Sequence, residues 1–160
     1  MATIEEAADV ADVLREAFEP FRPLYTVAAF AATTPTGAEV QQRWNDGPVW
    51  VAWQDGRIVG TVSAVPRREG LYMRSMAVRL ACRGTGCGRH LVEAVERHAV
   101  THAHRVVLLS TTPFLHSAIA LYDRCGFRRT DAGPSDLGGT PLFTMAKELS
   151  EGAGGQGRVI

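Results

Sequence analysis

The sequence predicts an α/β fold with a mixed sheet of about six to seven strands. Two segments carry apolar residues at helical spacing, 4–18 and about 87–102. Around Gln54-Asp55-Gly56-Arg57, which holds the favoured Asp-Gly pair of a hairpin turn, lie two runs rich in β-branched and aromatic residues. Val106–Ser110 is short and wholly apolar, as a buried parallel strand would be.

Each element follows from local chemistry. Thr3-Ile4-Glu5-Glu6 has the form of a capping box, with Thr3 as N-cap and Glu6 reaching back. Ile4, Ala7, Val10, Ala11, Leu14 and Phe18 then share a helix face. Pro20 and Pro23 end that helix, and residues 19–36, with three prolines, read as a long loop. A short helix is expected over 37–45, followed by the turn Asn45-Asp46-Gly47-Pro48. Val49–Trp53 and Ile58–Val65 form the hairpin, Pro66–Gly70 a polar turn, and Leu71–Val78 the next strand. The helix over 87–102 turns Leu91, Val95 and His98/Ala99 inward and pairs Glu93 with Arg97. Ser117–Arg124 is helical and stops at Gly126, a suitable C′ residue. Phe127–Thr130 and Leu142–Lys147 are the final strands, separated by a Gly/Pro/Asp loop over 131–141.

The 160 residues suggest one domain, 1–149, and a Gly-rich tail, 150–160, expected to be disordered. A chain of this size buries roughly 70% of its unfolded surface and needs no disulfide or metal staple. Lys+Arg and Asp+Glu both number 17. No global charge steers the chain to nucleic acid or an anionic membrane, so local basic clusters must carry any anion binding. Three cysteines at no metal-ligand spacing read as free thiols in a reducing compartment. With no membrane-length apolar run and no signal-peptide pattern, the expected location is cytoplasmic.

The most informative segment is Arg83-Gly84-Thr85-Gly86-Cys87-Gly88-Arg89, between a strand and a helix. Alternate glycines leave backbone N–H groups uncovered at the positive end of a helix dipole, a site for phosphate or pyrophosphate. Arg83 and Arg89 flank it and can add charge-assisted hydrogen bonds. A Walker A loop would end Gly-Lys-Ser/Thr, and this one ends Gly88-Arg89-His90. A dinucleotide fingerprint would place a glycine where Arg89 stands, and the next strand ends at Ser110 rather than at a ribose-binding carboxylate.

R-x-x-G-x-G, carried by Arg83, Gly86 and Gly88, resembles motif A of the GNAT superfamily, the acyl-CoA-dependent N-acyltransferases. The run Ser117-Ala118-Ile119-Ala120-Leu121-Tyr122-Asp123-Arg124-Cys125-Gly126-Phe127 resembles motif B, with core A-x-x-L-Y-x-x-x-G-F. The resemblance covers about residues 4–148 and is best over 70–130. It implies a V-splayed mixed sheet with helices on both faces, and acetyl-CoA as co-substrate without a metal. It also implies a cofactor site of Met76, Ala77, Val78, Arg83, Gly84, Thr85, Gly86, Cys87, Gly88, Arg89, Ser117 and Tyr122. Pantetheine would pair with Met76–Val78 like an added strand. The Val78 N–H is the candidate oxyanion donor, and Tyr122 matches the family's general acid.

Other residues are less legible. The strand L-Y-M-R-S-M-A-V carries no acid to serve as base; Glu69 just before it and His116 could act through water, and bulk water could equally take the proton. Ser117 stands where many family members have Asn, and could cap its helix. His98, His102 and His104 have zinc-like spacing but lack a completing carboxylate or Cys, and read as a half-buried helix face. Cys87 reads as a small filler. The family also opens with a strand before its first helix; here that strand is absent or only two or three residues long.

The acceptor is expected between Pro20–Thr36, with Arg22, Tyr25 and Phe30, and Asp131–Pro141, with Asp131 and Asp136. Tyr25, Phe30 and Glu69 are the candidate substrate-binding residues. An aromatic wall with carboxylates suits a small cationic amine, with neither nucleic acid nor membrane as partner; a homodimer is left open. The resemblance thus implies acetyl transfer from acetyl-CoA to a primary amine of a small molecule, by direct attack in a ternary complex. The rivals are a non-catalytic acyl-CoA sensor and an acetyltransferase acting on a protein Lys or N-terminus.

Overall fold

The computed structural model describes residues 1–150, so the tail 151–160 lies outside the described residues. A 3-10 turn over Ile4–Glu6 leads into α1, Ala7–Phe18. Glu6 Oε2 accepts from the Thr3 N–H at 2.6 Å, as the capping box requires. Residues 19–36 are more regular than the prolines suggest. Pro20 and Pro23 are accommodated in a 3-10 turn, Glu19–Leu24, because that geometry demands few backbone donors. Thr26 then caps α2, Val27–Thr33, its hydroxyl accepting from the Ala29 N–H at 3.1 Å. α3, Gly37–Arg43, is capped in the same manner by Thr36 with Glu39.

The strands are β1 Val49–Gln54, β2 Arg57–Arg67, β3 Gly70–Val78, β4 Val106–Thr111, β5 Arg128–Arg129, β6 Ser135–Leu137 and β7 Thr140–Glu148. Between them lie α4, Cys87–Thr101, and α5, His116–Arg124. The sheet order is β1-β2-β3-β4-β7-β5, with β6 added on β7; β3 and β4 run parallel and the other pairs antiparallel. Asp55 and Gly56 both have positive φ (50° and 75°), as a two-residue hairpin turn needs. The expected loop 131–141 contains β6, which folds back on β7, and the expected strand 127–130 shrinks to Arg128–Arg129. Among the described residues no strand precedes α1; Ala2 N–H bonds Val49 O at 2.8 Å.

Helices cover both faces. On one, α1 and α3 bury Val10, Val13, Leu14 and Val40 with Ile58 and Ala77. On the other, α4 and α5 bury Leu91, Val92, Val95, Tyr122 and Phe127 against Val62, Leu71, Met73, Leu109 and Met145. Inside the second layer Lys147 pairs with Glu96 at 2.7 Å. On the α4 surface the ion pair is Arg89–Glu93, at 2.9 Å, rather than Glu93–Arg97. Gly126 ends α5 with φ +92°. That turn drops Phe127 into the core at 0% exposure. Phe127→Ala is expected to cost about 3–5 kcal/mol in denaturant unfolding, the usual toll of an emptied aromatic site. Among the described residues no helix is long and apolar enough to cross a membrane.

Candidate active site

The cleft originates in one extra residue. Ser63 pairs with Arg74 and Thr61 with Ala77, so β3 carries three steps against two on β2. Ser75 absorbs the surplus with φ +52°, forming a β-bulge. The parallel pairing of β3 with β4 covers only Leu71–Met73 and Val107–Leu109. Beyond it the two strands part, giving the splayed sheet and a cleft of about 920 Å³. That volume suits a large ligand.

The bulge also sets which groups face the gap. Arg79 N–H donates to Val59 O at 2.8 Å. Since backbone groups alternate along an extended strand, the Val78 N–H and C=O point away from β2, toward the open side. Met76 and Val78 meet the first turn of α4, while Ala77 is buried toward α1.

After a 3-10 turn, Leu80–Cys82, the glycine loop reaches α4. Gly84 and Gly86 have φ +77° and +87°. His90 N–H bonds Gly86 O at 3.1 Å, whereas the N–H groups of residues 84–89 make no backbone hydrogen bond among the described residues. This is the donor-rich helix start that binds anions. Thr85 holds the loop by donating its hydroxyl to Cys82 O at 2.7 Å. Gly88 serves packing instead: a Cβ there would stand 2.9 Å from Leu121 Cδ2. Arg83 donates to Ala17 O at 3.3 Å, tying the loop to α1, and Arg89 lies on the surface with Glu93. Cys87 packs over Gly60, where a Cβ would meet its sulfur at 2.9 Å. Burial, then Cys82, raises the Cys87 pKa, which favours the inert thiol.

Tyr122, on α5, is buried beside Phe127, with ring centroids 6.0 Å apart. Burial, first of all, drives its pKa far above the ordinary 10.0, so the hydroxyl keeps its proton. Ser117 lines the cleft but is the second residue of α5; Leu115 precedes the helix, so Ser117 is not its cap.

On the acceptor side Tyr25 lines the cleft, edge-on to Phe114 at 4.9 Å and to Phe30 at 6.1 Å. Phe30 lies beneath it in the packing, faced by the Arg22 guanidinium, and does not line the cleft. Glu69 falls in the β2–β3 turn at the far end of β3, roughly 30 Å along the strand from Val78, and is not on the cleft wall. Asp131, Asp136 and His116 are also off the cleft wall. Asp136 instead closes the β6–β7 turn, accepting from Gly139 N–H at 2.9 Å. Among the described residues the cleft's one carboxylate is Asp46, which takes Arg74 Nη2 at 2.6 Å. The expected wall of carboxylates is replaced by Arg43 and Arg74. Sequence reasoning missed both, although an Arg inside the apolar strand L-Y-M-R-S-M-A-V was a usable signal. The His98 and His102 rings stack at 3.9 Å, and no metal-holding group occurs among the described residues.

A parallel strand pair prised apart by a bulge, with uncovered amides at the helix start beside it, defines the acyl-CoA-dependent N-acyltransferase class. The chain belongs to the acetyltransferase (GNAT) family, whose family model matches residues 10–127. Among relatives, it is 34% identical over 90 residues to probable N-acetyltransferase family 8 member 5 of Mus musculus, covering 52% of this chain and 40% of that protein. It is 34% identical over 114 residues to N-acetylaspartate synthetase of Homo sapiens, covering 68% and 37% respectively. The match thus spans about two fifths of those relatives' length. The fold resembles PaiA N-acetyltransferase of Thermoplasma acidophilum, solved with coenzyme A, with TM-score 0.75, 15% identity, and 92% of this chain and 96% of that one covered. It also resembles ribosomal-protein-alanine N-acetyltransferase of Brucella melitensis, with TM-score 0.71, 24% identity and coverage of 92% and 97%.

Proposed function

We propose that this chain transfers an acetyl group from acetyl-CoA to a primary amine of a small molecule, by direct attack in a ternary complex. The observation that carries it is the Val78 N–H, aimed into a cleft that has the uncovered amides of residues 84–89 and the protonated Tyr122 hydroxyl on its walls. The fit to coenzyme A is physical: an anion-binding loop for the pyrophosphate and an unpaired strand edge at Met76–Val78 for the pantetheine amides. One relative is named for N-acetylaspartate, a small acylated amine.

In this reading the neutral amine attacks the thioester carbonyl carbon. Val78 N–H stabilises the charge that builds on its oxygen. As the C–S bond breaks, the Tyr122 hydroxyl gives its proton to the departing sulfur, which leaves as the thiol; the amine's surplus proton passes to water, and water returns one to the Tyr122 oxygen. Cys87, packed on Gly60 with a raised pKa, takes no acyl group.

A panel of small amines and peptides, assayed with acetyl-CoA for thiol release, tests the proposal. Turnover of small amines is expected. Coenzyme A binding without turnover would point to a sensor, and labelling of polypeptides alone to a protein acetyltransferase; either would overturn it.

A further inference from the structure

The cleft holds more positive charge than its own carboxylate can balance. Arg74, one residue before the bulge, gives Nη2 to Asp46, yet its Nε is buried with no hydrogen-bond partner among the described residues. Arg43, the last residue of α3, donates Nη2 to Ala32 O at 2.9 Å, while Nη1 reaches Ser75 Oγ only at 3.5 Å. Two guanidinium groups therefore share one aspartate on the cleft wall, with Glu39 the other anion that acts on Arg43. Glu39, a turn before Arg43, is held by the Thr36 N–H and hydroxyl at 2.7 and 2.9 Å. Burial, followed by the charge of Arg74, lowers the Arg43 pKa, against the opposing pull of Glu39 and Asp46. A half-buried cation pair with the Arg74 Nε donor still unpartnered calls for a further acceptor, and the planar guanidinium forks suit a carboxylate in particular.

We propose that Arg43 and Arg74 hold a carboxylate of the acceptor, so that the substrate is a small molecule carrying both the amine and a carboxylate. This rests on the acetyl-transfer reading and narrows its acceptor from any small amine to the amino-acid class. The spacing is suitable. Arg74 lies four residues before Val78, about 13 Å along an extended strand, a span that the arginine side chain and a skeleton of a few carbons fill together.

The test uses the common L-amino acids, each beside its own neutral carboxamide. Thiol release with acetyl-CoA gives kcat/KM, and calorimetry on the coenzyme A-loaded protein gives acceptor affinity. At least one amino acid should exceed its carboxamide by about tenfold or more, the worth of one charge-assisted hydrogen bond. Arg74→Gln should bring that ratio near one with coenzyme A affinity kept. Arg43→Gln, which leaves the Asp46 pair intact, should do the same if the first variant folds poorly. Equal values for acids and carboxamides in wild type, or a ratio that survives both substitutions, overturns the proposal. If no amine turns over, the acetyl-transfer reading fails, and calorimetry alone decides the carboxylate site: preference for the acid upholds it, and indifference sinks it.

Discussion

Gly86→Val is expected to lower coenzyme A affinity by about 100-fold or more, the loss of roughly two charge-assisted hydrogen bonds. Gly86 sits at φ +87°, where a β-branched residue costs on the order of 1–3 kcal/mol. The chain relieves that strain by turning the peptide, and the N–H groups of the loop then no longer converge on one anion. A Cβ at Gly86 would meet nothing nearer than His90 Cε1 at 4.0 Å, so the surrounding packing stays in place. The melting temperature should therefore fall only modestly. Gly88→Val separates the two roles: its Cβ displaces the Leu121 side chain, and its branched methyls crowd the space shared with Met76 and Val78. That variant should lose stability and affinity together. Calorimetry with coenzyme A and a thermal melt on both variants make the comparison. Unchanged affinity in Gly86→Val would remove the pyrophosphate from this loop.

Tyr122→Phe should reduce kcat by about 100-fold, the lower range for a positioned proton donor, while coenzyme A affinity stays near wild type. The ring packs on Phe127 and is retained in the variant, so the loss is that of one hydroxyl. A second readout comes from pH. The folded protein holds the Tyr122 proton well above pH 10.0, whereas the unfolded chain releases it near that value. The contribution is thus complete below pH 10.0 and lost as pH climbs past it. Wild type should destabilise more steeply than Tyr122→Phe under alkaline conditions. Equal kcat in the two proteins would reduce Tyr122 to a packing residue.

What the chain discloses on reading follows from how local each determinant is. The glycine loop and the Tyr122–Phe127 run are continuous in sequence, so motif and geometry coincide. The place of Val78 at the end of its strand was also accessible, being fixed by its distance from the loop. Ser75 was not: a bulge arises from the register of two strands, and a serine gives no sign of it. Glu69 adjoins the site strand in sequence but lies at its opposite end, off the cleft wall. The Arg43–Asp46–Arg74 group joins a helix end, a turn and a strand, and only folding brings these together. Prolines concealed α2 because the sequence argument treated them as terminators, while the structure houses them in a 3-10 turn.

One tie between remote segments bears on how the acceptor side of the cleft could change. Thr26 donates its hydroxyl to Gly138 O at 2.6 Å and its N–H to Thr140 Oγ1 at 3.0 Å, and Gly138 packs so tightly on α2 that a Cβ would stand 3.0 Å from Ala28 Cβ. The segment before α2 and the β6–β7 hairpin are thereby one unit, though more than a hundred positions separate them. Grafting either piece alone from a relative would break the seam, so altered selectivity should arise through paired replacements in both segments.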